Sequence, residues 1–251
     1  MRGGQTLLIA LIADIHGNAV ALERVLSELE HERPDRVVCL GDVASTGPQP
    51  REAIALLRAT GCPVVLGNAD EWLLTPQFSP NPDEATAKIE EIDAWCREQL
   101  GPEHLDYLRG FRSTIEIPLD KRTVLLCCHG SPRSNTEAMR SATPDSELGA
   151  MLDRVRATIL TCGHTHEQLL RRFGELILLN PGSVGLPFQG DRQTGTVRNP
   201  AWAEYALIRW QSGALGIELR RVPVDARTVI AAALVSGMPH AEWWAADWET
   251  L

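Results

Sequence analysis

The sequence predicts a layered α/β domain, two sheets packed together with helices outside, and three observations lead there. Short apolar runs alternate with amphipathic helical stretches through the first half, which is how parallel βαβ units read. The second half turns to short strands, several joined by hairpin-like pairs at Asp120–Lys121, Gly174–Glu175 and Ser212–Gly213. No repeat at a fixed period and no low-complexity tract interrupts either half.

Taken in order, "TLLIALIA" is too short for a helix and bounded by polar residues, so it reads as a buried strand. "NAVALERVLSELE" follows as a helix, with Asn18 as N-cap and Leu22, Val25, Leu26 and Leu29 on one face. "RVVCL" (36–40) is the second strand. "PREAIALLRATG" is a helix with Pro50 at its start and Gly61 as its stop. "PVVL" (63–66) is the third strand. Residues 71–113 open with a Pro-rich loop and continue as two helical stretches split at Gly101–Pro102, with Ile89, Ile92 and Trp95 on one face; we expect a helical insertion lying over the sheet edge. Thereafter "STIEIPL", "TVLLCCH", "TILTC", "QLLRRF", "ELILLN", "WAEYALIRW" and "ALGIELRRVP" are strands, interrupted by the helix "SELGAMLDRVRA". The tryptophan-rich "HAEWWAADWETL" is read as a cap on the fold.

A chain of 251 residues allows one or two domains. Its net charge of −9 argues against a nucleic-acid partner, which would want a basic face. No apolar run is long enough to span a membrane. "LLIALIA" ends in Asp14 and His16 with no small-residue cleavage site, so it is a strand and not a signal segment. Six cysteines without a CxxC pair read as reduced, buried thiols, and the expected location is cytoplasmic.

The polar signals recur just past strand ends: Asp14 and His16, Asp42, Asn68, His129, then His164 and His166. Ligands bind beyond the carboxyl ends of strands in α/β sheets, because the loops converge there. Residues two apart on extended chain project to one side, which groups Asp14 with His16 and His164 with His166. Seven ligand-type side chains at five strand ends are too many for packing. Carboxylate, imidazole and amide oxygen without thiolate suit Mn, taken first, or Fe, Zn, Co or Ni. The number fits two divalent metal ions sharing a carboxylate better than one. His31, His104 and His240 lack such partners and read as surface residues.

In order, D-I-H (14–16), G-D (41–42), G-N (67–68), C-H-G (128–130) and G-H-T-H (163–166) resemble the calcineurin-like metallophosphoesterases. "GDVASTGP", "HGSP" and "NPGSVGLP" further resemble their compact bacterial and archaeal small phosphodiesterases, with likeness running to about residue 224. The resemblance implies a four-layer α/β/β/α sandwich of two mixed sheets, one metallophosphoesterase domain over 1–251. It implies that Asp14, His16 and His166 hold one ion, with Asp42 bridging to a second held by Asn68, His129 and His164. These seven are the candidate catalytic set. Metal-bound hydroxide would hydrolyse a phosphodiester, pyrophosphate or activated monoester of a small phosphorylated substrate, plausibly a nucleotide.

Two departures narrow this. Many family members carry a histidine after Gly-Asn, able to protonate the leaving oxygen; Ala69 stands there and favours substrates with acidic leaving groups. Ser45 and Thr46 replace the Asp-Arg pair of the phosphoprotein phosphatases, which argues against protein dephosphorylation. Arg133 and Ser183 are candidate substrate contacts, Asn180 reads as a hydrogen-bonded turn, and Asp70 as either a helix cap or an orienter of a metal-bound histidine. The competing functions are a nuclease, and a metal-bound binding module with little turnover, motivated by Ala69. A homo-oligomer is compatible with the sequence.

Overall fold

The computed structural model describes residues 6–190 and 197–249. β1 (Thr6–Ile12) is apolar throughout because both its faces are covered: Leu8, Ala10 and Ile12 pack under helices, while Ile9 and Leu11 face the second sheet. α1 (Ala19–Glu32) starts where Asn18 Oδ1 accepts the Ala21 N–H at 3.0 Å. β2 (Arg36–Cys39) runs parallel to β1. α2 (Pro50–Thr60) has proline in its first turn and ends at Gly61, whose φ of 65° only glycine adopts without strain.

Residues 63–66 do not form the third strand read from the sequence. Pro63 has no N–H to offer, and Val64 and Val65 make only single bridges, to Cys39 and Arg112. The chain passes directly into α3 (Asn68–Leu74), a helix absent from the sequence reading. α4 (Glu84–Gln99), N-capped by Asp83, and α5 (Pro102–Arg109) follow with a break at 100–101. Ile92, Cys96 and Leu108 join the apolar cluster that holds Leu22 and Ile54, but Ile89 is 37% exposed, so the expected stripe is narrower than its spacing.

β3 (Ile115–Pro118) and β4 (Val124–Cys127) pair antiparallel. α6 (Asp145–Met151) is shorter than the predicted stretch and leads into β5 (Ile159–Thr161). β6 (Leu169–Phe173) and β7 (Leu176–Asn180) are a hairpin. β8 (Gln189–Gly190) and β9 (Val197–Arg198) make a small ladder of their own. β10 (Trp202–Gln211) and β11 (Ala214–Pro223) turn at Ser212–Gly213, both of positive φ as a tight hairpin requires. α7 (Ala226–Val235) and α8 (Ala241–Ala246) follow.

The first sheet has the order β11-β10-β1-β2 and the second β3-β4-β5-β7-β6, each mixing parallel and antiparallel pairs. Between them lies a dry layer in which Ile9, Leu11, Val38, Leu40 and Ile208 meet Ile117, Leu125, Ile159 and Leu179. Helices α1, α2 and α7 cover the outer face of the first sheet, and α6 covers the second through Leu148. The result is a four-layer α/β/β/α sandwich. Trp244 and Trp248 are buried in the outer core of the first sheet, so the tryptophan-rich segment packs against the fold.

Candidate metal centre

The carboxyl ends of β1 and β2 in one sheet, and of β4 and β5 in the other, are stitched together by hydrogen bonds. Asp14 N–H donates to Gly41 O and His16 N–H to Asp42 O, each at 2.9 Å. Gly163 N–H donates to His129 O at 2.7 Å, and His164 N–H crosses between sheets to Asp14 Oδ1 at 3.1 Å. Asp14, His16, Asp42, His164 and His166 all have positive φ, between 46° and 67°. Such backbone is uncommon outside glycine and accumulates where function demands it. It replaces the extended-chain argument: alternation along a strand is not what aims these side chains.

Two groups of ligand atoms result, each within 4.8 Å: Asp14, His16 and His166, and Asp42, His129 and His164. His164 and His166, although two residues apart, belong to different groups. Asp42 lies between them, its Oδ2 3.2 Å from His129 Nε2 and 3.7 Å from His16 Nε2. Its Oδ1 is pinned by the Ala69 N–H at 2.9 Å. That contact requires Gly67, since a Cβ there would stand 2.0 Å from Asp42 Oδ1. Asn68 joins the second group through Oδ1, 3.1 Å from His129 Nε2.

The ring nitrogens are set by backbone carbonyls. His129 Nδ1 donates to Leu40 O and His166 Nδ1 to Leu186 O, both at 2.7 Å, which turns each Nε2 toward the cluster. His166 Nε2 then faces His16 Nε2 at 3.1 Å, and Asp14 Oδ2 is buried with no hydrogen-bond partner. Facing lone pairs, an orphaned carboxylate oxygen, and two oxygens converging on His129 are a donor set that divalent cations fit.

Burial pushes the Asp14 carboxyl up to about 8, with Asp42 adding to the effect and His129 opposing it. Burial also works against ionised Asp42, but the His129 charge and hydrogen bond hold it well below the carboxylate range. His129 is disfavoured as a cation by burial, yet Asp42 and Asp14 raise it to about 10. Burial lowers His16, His164 and His166, leaving neutral imidazoles able to donate lone pairs.

The other candidates contribute no ligand atom to the two groups. Arg133 is held by both Glu137 oxygens at 3.0 Å and by Ala150 O at 2.7 Å. It lines a cavity of about 460 Å³ with Arg154 and Arg156, and no lining residue belongs to the two groups. Ser183, read as a substrate contact, is fully buried: its Oγ donates its one proton to Asp14 O at 2.7 Å and accepts from Leu186 N at 2.8 Å, so both bonds go to backbone. Asn180 ties Gly163 O, Thr165 Oγ1 and the Gly182 N–H together, as a turn. Asp70 orients no histidine; its oxygens accept the N–H groups of Asp42, Val43 and Gly67 at 2.8–3.1 Å. His104 Nδ1 accepts the Gly101 N–H at the start of α5, and His240 pairs with Glu91 at 2.8 Å. Sequence reasoning missed Ser45, 3.4 Å from His16 Nδ1, and Phe188, stacked on His166. A hydroxyl and an aromatic in loops carry no signal of their own.

A four-layer sandwich that gathers histidines, carboxylates and an amide at the ends of its parallel strands defines a metal-dependent phosphoesterase. The calcineurin-like phosphoesterase superfamily domain matches residues 7–199, and the chain belongs to that superfamily. It is similar to an uncharacterized protein of Methanocaldococcus jannaschii, 29% identical over 202 residues, 73% of this chain and 78% of that one. A metallophosphoesterase from Sphaerobacter thermophilus is 25% identical with a TM-score of 0.71, covering 97% of this chain and 98% of the other. A hypothetical protein from Pyrococcus horikoshii shares the fold at a TM-score of 0.75, 19% identity and coverage of 93% and 94%. Among the described residues no helix is long and apolar enough to cross a membrane.

Proposed function

We propose that the chain hydrolyses the phosphodiester, pyrophosphate or activated monoester bond of a small substrate, a nucleotide first among them, using two divalent ions. The observation that carries this is the pair of abutting groups, Asp14–His16–His166 and Asp42–His129–His164, with Asp42 Oδ2 between them. Asp14, His16 and His166 would hold one ion. Asn68, His129 and His164 would hold the other, and Asp42 would serve both. When bound, the ions would supply Lewis-acid charge to the phosphoryl oxygens and lower the pKa of a bound water.

The chain's own part is preorganisation. Leu40 O and Leu186 O fix the tautomers of His129 and His166, and Ala69 N–H fixes one oxygen of Asp42, so the donors are in place before substrate arrives. His164 is half-buried where the other three histidines are buried, and so is the one most open to solvent. Ala69 offers a methyl group and no proton, which supports substrates whose leaving group departs as a stable anion. We propose Mn²⁺ as the ion, from the oxygen and imidazole donors. Six free thiols, five of them buried, support a reducing, cytoplasmic location.

The test is hydrolysis of an aryl phosphodiester against the matching monoester by chelator-stripped protein with Mn²⁺ added back, and His129→Ala as control. Metal-dependent cleavage lost in the variant is the expected result. No turnover in protein shown to bind two ions would favour a binding module instead.

A further inference from the structure

We propose that Phe188 is the platform on which the planar base of the substrate stacks, so that this enzyme selects nucleotides over other small phosphoesters. The inference rests on the phosphoesterase reading above and deepens it.

The Phe188 ring lies over the His166 imidazole with centroids 4.4 Å apart and planes inclined by 19°. His166 is buried, its Nε2 3.1 Å from His16 Nε2, so Phe188 stands one ring's thickness from the first ligand group. One face of the phenyl ring is spent on His166, yet the side chain remains 40% exposed. Of the other large apolar side chains exposed among the described residues, Phe78, Ile89, Leu170, Leu234 and Val235, only Phe78 is aromatic, and its ring packs against Trp72. Phe188 also has a fixed mount. Leu186 accepts from His166 Nδ1 and donates its own N–H to Ser183 Oγ, so the chain is anchored at the centre two residues before the ring.

A phosphoester seated on the cluster carries its organic substituent within reach of that ring. A sugar or alkyl chain meets a flat aromatic face only through its C–H groups. A nucleobase gains a stack, which is tolerant of base identity because every base has a π-face. The ring would act on binding, not on the chemical step, which makes Phe188 a specificity residue.

The test is calorimetry on the Mn²⁺-loaded protein with adenosine 5′-monophosphate, ribose 5-phosphate and phenyl phosphate, for wild type, Phe188→Ala and Phe188→Trp. We expect the nucleotide to bind wild type about tenfold or more tighter than ribose 5-phosphate, the size of a base–aromatic stack. The gap closes in Phe188→Ala and survives in Phe188→Trp. Equal binding of the two by wild type, or equal loss of both in Phe188→Ala, overturns the platform and leaves Phe188 as cover for His166. Phenyl phosphate gaining as much as the nucleotide overturns the base as the preferred ring. Turnover of the aryl diester is scored separately: its absence with the nucleotide preference intact would sink the hydrolytic reading and not this one.

Discussion

Trp244 donates its indole N–H to the carbonyl of Thr46 at 2.7 Å, joining residues 198 apart in the chain. Thr46 has φ of 59°, an uncommon conformation for a β-branched residue. Its hydroxyl donates to Asp93 Oδ1 of α4 at 2.8 Å. The loop so held carries Ser45, against His16, and Gly47, where a Cβ would stand 1.8 Å from His16 O. Helices α4 and α8 therefore grip the candidate centre through one strained threonine.

Trp244→Phe keeps an aromatic ring but removes the N–H and part of the buried indole, leaving a buried carbonyl without its donor. We expect a loss of about 1–3 kcal/mol and a melting temperature lower by several degrees. An unchanged melting curve would mean that the bond contributes nothing and the strain at Thr46 is held by packing alone.

Asp93 gives a stability that depends on pH. Burial raises its carboxyl to about 7, while the unfolded chain titrates near 3.8. Well below pH 3.8 both states bind the proton and the group contributes no difference. As pH rises toward 7 the unfolded state ionises first, so stability falls through that window and levels off above it. The full displacement corresponds to about 4 kcal/mol. Asp93→Asn, which keeps an oxygen for Thr46, should flatten this decline in urea unfolding at pH 5 and pH 8. Parallel pH profiles for the two proteins would contradict it.

These contacts show which parts of the molecule sequence could reveal. The strand-end residues were legible because each lies within two residues of a glycine or histidine after an apolar run, and both sheets were legible from period and turns. The reason those side chains converge was not: it lies in left-handed backbone at Asp14 and His166 and in carbonyls of Leu40 and Leu186, which any residue could supply. Helix α3 was missed because Gly67–Asn68 reads as a turn until Asp70 is seen to cap it. Ser183 reads as a substrate contact because a loop hydroxyl looks the same whether it meets substrate or backbone, and its Oγ meets backbone. The grip on Thr46 depends on pairing across nearly the whole chain, which no local pattern encodes.

Asp70→Ala would leave three buried N–H groups, those of Asp42, Val43 and Gly67, without their acceptor. The expected cost is roughly 3–5 kcal/mol, because three buried donors lose their acceptor together. Mn²⁺ binding should weaken with it, as Asp42 loses its anchor. A variant of wild-type stability with slowed catalysis alone would place Asp70 in the chemistry instead.

Ser183→Ala separates scaffold from substrate contact. With its Oγ spent on Asp14 O and Leu186 N, its loss should lower stability by about 1–2 kcal/mol. Any effect on rate should fall on kcat, through displacement of Asp14, with KM nearly unchanged. A raised KM at unchanged kcat and stability would restore the substrate role.

Ala69 makes the last prediction chemical. Its backbone N–H is engaged with Asp42 Oδ1, and its methyl group cannot carry a proton to a departing oxygen. Without an acid at this position, negative charge builds on the leaving group in the transition state, and its stability governs the rate. For a series of aryl phosphodiesters with leaving-group pKa rising from about 7 to about 10, kcat/KM should fall on the order of fivefold or more per unit. Alkyl esters should then be nearly inert while pyrophosphate bonds remain open to attack. Proton donation would level the series, so a flat dependence on leaving-group pKa means that another side chain supplies the proton that Ala69 cannot.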